Sequence, residues 1–362
     1  MRFLFLEPFY GGSHKDFADG LIRHSRYDID LSSLPARFWK WRMRGAALHY
    51  YRKIKSFDLY DGLIVSDLMS LADLKALCNE KLPPTILYFH ENQFAYPLAE
   101  SEQMDYQFGF TNITSALAAD IVAFNSETHY RSFFSHLARF VRMMPEFNPH
   151  WVSDEIKQKS RVIYPGCHFR VKDAAGDRKP GAPLVIIWNH RWEFDKRPEN
   201  FFQALYYLQD LGIDFEVVLL GERYKKIPPA FTQAEKRLGR RIIHTGYVES
   251  RTEYYQWLSR GDVAISTADQ ENFGIAVVEA IRHGCLPLLP NRLSYPEILP
   301  AEWHSLFLYE DQNDLQQKLF AVANNLKQYT PYRQSLSESM GRFAWEQQVR
   351  KFDEVLHRMT LQ

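Results

Sequence analysis

Short apolar runs alternate with helix-like stretches along almost the whole chain, and this alternation restricts the fold more than any other feature. Continuous runs of this length are typical of strands buried on both faces, and strands alternating with helices predict βαβ units and a parallel sheet. In the first half the runs lie at residues 3–6, 62–65, 85–89, 120–124 and 162–164. Helical stretches lie at 68–78 and 112–119, and another starts near Ser13.

A polar segment rich in glycine and proline at residues 170–183 divides the chain and predicts a linker. The alternation then resumes, with strand-like runs at 184–188, 215–220, 242–245, 263–266 and 286–289 and helical stretches at 200–211, 275–283 and 332–359. A chain of 362 residues is long enough for two domains, each with its own core. We therefore predict an α/β fold of two doubly wound parallel-sheet domains, an arrangement that binds ligands at the carboxyl ends of its strands.

Composition restricts the location and the partners of the protein. The 44 Lys and Arg residues balance the 44 Asp and Glu residues, which argues against coarse binding of nucleic acid or anionic membrane over the whole surface. A local basic patch stays possible. The three cysteines form neither a disulfide framework nor a zinc pattern, no apolar stretch approaches the length of a membrane span, and an acidic residue at position 7 comes too early for a signal peptide. We expect a cytoplasmic protein.

Two glutamates eight positions apart give the strongest chemical signal. Glu271 lies in a loop after a predicted strand, and Glu279 lies in the helix that follows. Gly274 at the junction lets a ligand approach the backbone, where free N–H groups at a helix start attract anions and hydroxyls. The alternative is a helix-start carboxylate at Glu271 and a solvated one at Glu279. Because residues 275–278 are apolar, we expect Glu279 to be buried and to have a specific partner.

A cationic loop and a glycine turn give two further signals. Arg191 and Lys196 lie between a strand and a helix that Pro198 can begin, so they could hold a phosphate pair. The alternative is a solvated loop with local pairs to Glu193 and Asp195. The pair Gly11–Gly12 follows the first strand and presents backbone N–H groups to an anion, although a purely structural turn is as plausible.

Together these signals resemble the retaining, nucleotide-sugar-dependent glycosyltransferases of the GT-B architecture, family 4, which have two Rossmann-like domains facing a central cleft. A narrower resemblance, in order over the first 130 residues, is to the tRNA-queuosine α-mannosyltransferase family. It is carried by Glu7 to Lys15, Leu34-Pro35-Ala36, Trp39 to Arg44, Tyr88 to Gln93, Phe108-Gly109-Phe110 and Phe124-Asn125-Ser126. The resemblance implies an acceptor (tRNA) domain at 1–168, a linker at 169–182, a nucleotide-sugar donor domain at 183–340 and a C-terminal helix at 341–362 that packs toward the N-terminal domain.

The resemblance also implies roles for individual residues. Reaction chemistry would involve His90, Glu271, Arg191 and Lys196, although a histidine at the end of a buried strand can simply be hydrogen-bonded into the core. The donor, expected to be GDP-mannose, would be held by Gly11, Gly12, Arg191, Lys196, Tyr247, Glu271, Asn272, Phe273, Gly274 and Glu279. The expected acceptor contacts are His14, Lys15, Arg37, Trp39, Lys40, Trp41, Arg42, Arg44, Glu91 and Asn92. The resemblance implies neither a metal ion nor another cofactor, and we expect no membrane and no obligate protein partner.

Residues 31–57 support a nucleic-acid acceptor. This stretch has seven cations and no acidic residue, with tryptophans and tyrosines between the cations: Arg37, Lys40, Arg42, Arg44, Arg52, Lys53 and Lys55. Cations can hold phosphates while aromatic rings stack on the exposed bases of a loop, so the sequence fits transfer of mannose to queuosine in the tRNA-Asp anticodon. The alternative is an amphipathic helix with its tryptophans in the core. Two other functions stay open, a family-4 transferase acting on a small glycan or lipid and a non-catalytic RNA-binding scaffold.

Overall fold

The chain divides into two compact units. The computed structural model describes residues 1–79, 81–94, 105–169, 181–222 and 227–361. One unit comprises Met1–Gly166 with Phe343–Gln362, and the other comprises Cys167–Arg342. Most of the expected linker lies outside the described residues.

The first unit is built on a parallel sheet of six strands in the order β2-β1-β3-β4-β5-β6. Along the chain its elements are β1 (Arg2–Tyr10), α1 (Gly12–His24), β2 (Asp28–Pro35), α2 (Trp39–Lys53), β3 (Gly62–Ser66), α3 (Leu71–Leu77), β4 (Thr85–Phe89), α4 (Tyr106–Ala118), β5 (Ile121–Phe124), α5 (Glu127–Arg142), α6 (Trp151–Gln158) and β6 (Ser160–Val162).

The second unit has a parallel sheet of six strands in the order β12-β11-β10-β7-β8-β9. Its elements are β7 (Leu184–Asn189), α7 (Pro198–Asp210), β8 (Phe215–Leu220), α8 (Pro229–Leu238), β9 (Ile242–Gly246), α9 (Arg251–Arg260), β10 (Val263–Ile265), α10 (Ile275–Arg282), β11 (Leu286–Pro290), α11 (Tyr295–Ile298), α12 (His304–Phe307), β12 (Leu308–Tyr309), α13 (Gln312–Asn324) and α14 (Leu326–Ser339). Short 3-10 turns span Phe194–Lys196, Gly239–Arg241, Ala301–Trp303 and Met340–Phe343.

The central strands β3, β4 and β11 are buried along their whole length. Such strands read as unbroken apolar runs because helices cover both faces of the sheet. In the first unit, separate apolar clusters on the two faces of the sheet confirm that it is doubly wound. Because all the strand pairs in the described part are parallel, the loops that leave the carboxyl ends of the strands in each sheet lie along one edge.

The C-terminal segment differs from its prediction. We expected one helix over residues 332–359, but α14 ends at Ser339 and a 3-10 turn follows. A separate helix, α15 (Trp345–Met359), then packs in the first unit against α1. Trp345 is buried there, and a Cβ atom at either Gly20 or Gly166 would lie 2.1 Å from its ring. The break occurs at Ala344, which is extended and lets the chain change direction.

Two strands that we did not predict complete the sheets. Strand β2 is mostly half-buried and carries aspartate and serine residues, so it lacks the apolar run that marks the central strands. Strand β12 has only two residues. The run expected at 162–164 forms a strand at Ser160–Val162 instead. In the described part of the chain, no helix combines the length and the apolar character that crossing a bilayer requires.

Candidate active site

The glycine turn joins β1 to α1, and its two glycines are required for different reasons. A Cβ at Gly11 would lie 2.4 Å from the Cβ of Ala36, so only glycine fits beside the end of β2. Gly12 has φ +52°, in the left-handed region, where a side chain is disfavoured. Helix α1 has no side-chain cap and no acidic residue in its first turn. Its first N–H groups therefore face a position suited to an anion.

Four polar residues lie close together at the carboxyl edge of the first sheet. Glu7 on β1 is fully buried, and its Oε1 accepts hydrogen bonds from the backbone N–H of Phe9 at 2.8 Å and from His14 Nδ1 at 3.2 Å. The ring of His14 lies 4.0 Å, centroid to centroid, from the ring of His90. The backbone N–H of His90 donates to Oδ1 of the buried Asp67 at 3.0 Å. The structure thus brings together two predicted residues, His14 and His90, with two that we did not predict, Glu7 and Asp67.

His14 and His90 differ in charge although both are buried. Burial favours the neutral form of both rings, and it lowers the pKa of His90 well below its usual value, with His14 and His129 adding to the effect. For His14 the carboxylates of Glu7, Asp67 and Glu91 together outweigh burial and raise the pKa to about 9. Burial raises the pKa of Asp67 to about 7, and this rise is opposed by the charge on His14. At neutral pH, His14 is therefore a cation and His90 is neutral.

Among the described residues, Glu7, His14 and His90 form the one set of three possible donors whose atoms lie within 4.8 Å of one another. In the structure Glu7 Oε1 accepts hydrogen bonds from the backbone N–H of Phe9 and from His14 Nδ1, so two of these three donors are paired with one another.

The loop after β4 holds the other predicted residues of this edge. Glu91 Oε1 accepts from the side chain of Gln93 at 3.2 Å, and Asn92 is buried. The side chain of Asn125 donates to the carbonyl of His90 at 2.9 Å, which ties this loop to the end of β5.

Lys15, another predicted acceptor contact, lies on α1. It donates to Asp19, and its Nζ lies 5.1 Å from the centre of the Tyr10 ring.

Helix α2 presents part of the predicted acceptor surface to solvent. Trp41 is 78% exposed and Phe38, which precedes the helix, is 70% exposed. Arg37 and Lys40 are also exposed, and each places its charge near an aromatic ring, Arg37 over Phe38 and Lys40 over Trp39. These four residues, Arg37, Phe38, Lys40 and Trp41, are named the α2 patch below.

The remaining predicted residues of α2 have packing or anchoring contacts. Trp39 is half-buried, and its ring lies 5.1 Å from that of Phe108. Arg44 donates to Thr111 at 3.1 Å and to Gln107 at 3.2 Å, and Arg42 donates to the carbonyl of Pro35 at 3.3 Å. The two interpretations of this stretch thus each describe part of the helix.

In the second unit, Lys196 is the buried cation of the candidate site. It is 7% exposed, and its Nζ lies 3.2 Å from Oδ2 of the buried Asp195 and 3.7 Å from Oε2 of Glu271. Nζ also donates to the carbonyl of Gln270. The two predicted residues Lys196 and Glu271 therefore meet, although 75 positions separate them in the sequence.

Arg191 has the local partner that the alternative interpretation foresaw. Its guanidinium lies 3.1 Å from Oε2 of Glu193, and its side chain is about half exposed. The neighbouring His190 is buried, and burial together with the charges of Lys196 and Arg191 lowers its pKa to about 3. His190 is consequently neutral and adds no charge to this loop.

Gly274 begins helix α10 with φ +99°, a conformation that favours glycine. Asn272 accepts from the side chain of Gln270 at 3.2 Å. Phe273 is buried, and its carbonyl accepts from Ser294 at 2.7 Å, so this carbonyl is already used within the protein. Tyr247, after β9, is 67% exposed.

Glu279 is buried and has the specific partners that burial requires. Its Oε1 accepts from Arg251 at 2.9 Å and its Oε2 accepts from the Tyr254 hydroxyl at 2.7 Å. The Tyr254 hydroxyl accepts in turn from Asn189 at 2.7 Å. Sequence reasoning missed Arg251 and Tyr254, because neither belongs to a recognisable motif and both reach Glu279 from another helix.

Comparisons with known proteins assign the chain to a family. Residues 2–167 match the family model described as "tRNA-queuosine alpha-mannosyltransferase N-terminal", and residues 171–334 match "Glycosyl transferases group 1". The chain is 37% identical over 367 residues to a tRNA-queuosine alpha-mannosyltransferase of Drosophila melanogaster, covering 98% of this chain and 96% of that protein. The chain belongs to the tRNA-queuosine alpha-mannosyltransferase family. The resemblance seen in the sequence is thereby confirmed, and this member of the family is a glycosyltransferase.

The chain is also similar to two more distant proteins, one by sequence and one by structure. A GDP-mannose-dependent alpha-(1-6)-phosphatidylinositol dimannoside mannosyltransferase of Mycobacterium tuberculosis is 25% identical over 246 residues, covering 67% of this chain and 60% of that protein. The structure of a sucrose-phosphate synthase from Thermosynechococcus elongatus superposes with a TM-score of 0.78 at 12% identity, covering all of both chains. At that identity the likeness concerns the fold alone, and it confirms the GT-B architecture expected from the sequence.

Proposed function

We propose that this protein transfers mannose from GDP-mannose to the cyclopentenediol of queuosine in tRNA, with retention of configuration at the sugar. The observation that carries the proposal is the 37% identity to a tRNA-queuosine alpha-mannosyltransferase over nearly the whole of both chains. The presence of a buried lysine–glutamate contact in the second unit, Lys196 with Glu271, supports an intact donor site.

In the proposed reaction the second unit holds the donor. Lys196 supplies the positive charge that stabilises the leaving diphosphate, and Glu271 binds hydroxyl groups of the sugar. Stabilisation of developing charge in a site that excludes water is usually the largest catalytic contribution. Arg191 would exchange its partner Glu193 for phosphate oxygens, which form strong charge-assisted hydrogen bonds with guanidinium groups.

Glu279 is proposed to bind the ribose of the nucleotide. Its two oxygens already accept from Arg251 and Tyr254, which fixes the carboxylate and leaves further lone pairs for ribose hydroxyls. The mycobacterial relative, a GDP-mannose-dependent mannosyltransferase, supports GDP-mannose as the donor. Because tRNA is the proposed acceptor, we also propose that the enzyme acts in the cytoplasm. We further propose that it needs no metal ion, because the buried Lys196 beside Glu271 supplies positive charge for the diphosphate.

The test is transfer of labelled mannose from GDP-mannose to purified tRNA-Asp that carries queuosine. The matched control acceptor is the same tRNA with guanosine at that position, because it differs only in the proposed acceptor group. We expect label in the queuosine-containing tRNA alone, and analysis of the isolated nucleoside gives the anomeric configuration. Absence of label in intact tRNA, with active protein, would refute the proposed acceptor.

Thermal-shift titrations separate the alternatives. A transferase is stabilised by GDP, since ligand at 100 times its Kd adds about 2.7 kcal/mol to the free energy of unfolding. A non-catalytic RNA-binding scaffold shows no such shift. A transferase for a small glycan or lipid shows the same shift with GDP. Its affinity for its acceptor, however, does not change when residues of the α2 patch are substituted.

A further inference from the structure

We propose that Tyr254 is a positioning residue for binding of the nucleotide. Its hydroxyl, oriented by Asn189, holds the carboxylate of Glu279 in the orientation in which that carboxylate meets ribose hydroxyls. Tyr254 itself does not touch the ligand. The inference rests on the proposed function, which assigns Glu279 to the ribose, and it extends the donor site to side chains that contact only protein.

The carboxylate of Glu279 is held at both of its oxygens. Oε1 accepts from Arg251 at 2.9 Å and Oε2 accepts from the Tyr254 hydroxyl at 2.7 Å, and both donors lie on α9. A donor on each oxygen opposes rotation of the carboxylate about its last bond. Glu279 is 4% exposed, and hydrogen bonds are stronger where water competes little.

The tyrosine is oriented in turn by a residue of the sheet. Asn189, the last residue of β7, donates to the Tyr254 hydroxyl at 2.7 Å and to the carbonyl of Ala276 at 3.3 Å. Because the hydroxyl oxygen accepts from Asn189, its one proton is directed to Glu279. The hydrogen bonds therefore run in one direction, from Asn189 through Tyr254 to Glu279, and they join β7, α9 and α10.

The Tyr254 hydroxyl stays protonated over the physiological pH range. Burial raises the pKa of Tyr254 well above its usual value, and the carboxylate of Glu279 adds to the rise, which the hydrogen bond from Asn189 and the charge of Arg251 oppose. The hydroxyl is therefore a neutral donor to an ionised acceptor. Such charge-assisted hydrogen bonds are stronger than those between neutral groups.

The contribution of Tyr254 is direction more than charge. Arg251 already supplies the counter-charge that a buried carboxylate requires. The bond from Tyr254 adds a fixed orientation, and a group held in its binding orientation before the ligand arrives loses less entropy on binding. All of these residues belong to the second unit, so the arrangement is complete within it.

The test compares binding of GDP with binding of 2′,3′-dideoxy-GDP, which lacks only the ribose hydroxyls, by isothermal titration calorimetry. We expect the wild type to bind GDP at least about tenfold more tightly. Tyr254→Phe should weaken GDP binding roughly tenfold, the usual effect of losing one hydrogen bond to a charged group, and leave binding of the dideoxy nucleotide unchanged. A tyrosine with a merely structural role would change both affinities equally or neither. A Tyr254→Phe variant that keeps the wild-type preference for GDP would overturn the proposal.

A neighbouring tyrosine provides the matched control. Tyr255 follows Tyr254 on α9, and its hydroxyl donates to the carbonyl of His168 at 2.9 Å, away from Glu279. Tyr255→Phe therefore removes the same group from the same helix and should keep the preference for GDP. Loss of the preference in this variant as well would overturn the specific role of Tyr254.

Double variants test the order of the contacts. Glu279→Gln/Tyr254→Phe should bind GDP no more weakly than Glu279→Gln, because the tyrosine acts through the glutamate. A further loss would mean that Tyr254 acts on the nucleotide by another route, which would overturn the positioning role. Asn189→Ala should weaken GDP binding in the wild type but not in Tyr254→Phe. An equal loss in both would mean that Asn189 acts through Ala276, against the proposal.

The outcomes separate this inference from the proposed function. If Glu279→Gln loses the preference for GDP and Tyr254→Phe keeps it, this inference alone fails. If the wild type binds both nucleotides equally, the ribose assignment of Glu279 fails and the inference fails with it. If Tyr254→Phe loses the preference but wild-type protein transfers no mannose to queuosine-containing tRNA, the proposed acceptor fails while this inference stands.

Discussion

Lys196 combines a structural and a proposed catalytic task in one side chain, because its ammonium group lies between the buried Asp195 and Glu271. Removing one partner of a buried ion pair leaves an uncompensated charge, which costs about 3–5 kcal/mol. We predict that Lys196→Met lowers the free energy of unfolding by about that amount. We also predict that it reduces mannosyl transfer by at least about 100-fold, the usual effect of losing one group that stabilises a transition state.

The double variant Asp195→Asn/Lys196→Met separates the two effects. Without the lysine, an amide at position 195 carries no charge to bury, so most of the stability should return. Activity should stay low, because the cation for the diphosphate is still missing. Urea unfolding and transfer assays on the same preparations check this, and recovery of activity together with stability would show that Lys196 acts only on folding.

His14 makes the stability of the first unit depend on pH in a defined direction. Its pKa is raised to about 9 in the folded protein, against about 6.5 in the unfolded chain. The folded state therefore binds more protons between these values, and the stabilisation, complete below pH 6.5, is lost as the pH rises toward 9. We predict that the free energy of unfolding falls more steeply between pH 7.5 and 9 in the wild type than in His14→Gln. The limiting difference is about 1.4 kcal/mol per pH unit for one proton. Equal slopes in urea unfolding would contradict it.

At the residue scale, the sequence predicted side chains that belong to recognisable motifs and missed those that act from outside them. Glu271 was identified from its spacing to Glu279 and Lys196 from its place in the cationic loop after a strand, and the structure places the two in contact. Glu7 was missed as a functional residue because it follows the apolar run at residues 3–6, and the sequence alone did not show that β1 continues through it and buries it. Arg251 was missed because its contact with Glu279 depends on how α9 and α10 pack.

Helix α2 is an element with two faces. Its buried residues, including Met43 and Tyr50, hold it against the sheet, while Trp41 and Lys40 face solvent. We predict that Arg37→Ala/Lys40→Ala/Trp41→Ala weakens tRNA binding at least tenfold by removing phosphate contacts and a stacking surface. The slope of log affinity against log salt should fall by about 2, close to one for each lost phosphate contact. Binding of GDP should not change.

A matched control removes two cations elsewhere. Lys236 and Arg240 are exposed residues of the second unit, and we predict that Lys236→Ala/Arg240→Ala leaves tRNA affinity and its salt dependence nearly unchanged. Arg44→Ala is a different kind of control, because Arg44 is anchored to Thr111 and Gln107 and its loss should affect stability first. Equal loss of tRNA binding in the α2 and Lys236/Arg240 variants would mean that net charge, not the α2 patch, determines binding.

At the element scale, burial on both faces explains which strands were predictable. Strands such as β4 and β8 are mostly apolar and were predicted to the residue. Strand β2 is a sheet edge with polar residues, so its sequence carried no comparable signal. The break between α14 and α15 was missed although Gly341, a poor helix former, lies in it. Trp345, the first residue of the second helix, is buried in the first unit.

At the scale of the whole molecule, the chain leaves the first unit at Gly166 and returns to it at Phe343. The return is fixed by Trp345, which fills the space that Gly20 and Gly166 leave open, and by Asp353, which accepts from the Ser25 hydroxyl at 2.6 Å. The core of the first unit therefore needs residues from both ends of the sequence. Its stability should depend on α15 although more than 170 residues separate this helix from the rest of the unit.

We predict that Trp345→Ala destabilises the first unit by about 3–5 kcal/mol, the usual cost of removing a buried tryptophan. Hydrogen–deuterium exchange should rise in α1, which packs against α15, while the amides of β7 and β8 in the second unit keep their protection. Trp345→Phe is the control, because it keeps an aromatic ring in the same space and should cost less. A uniform rise in exchange over both units would instead show that they unfold as one cooperative body, since local loss of packing raises exchange only where the structure opens.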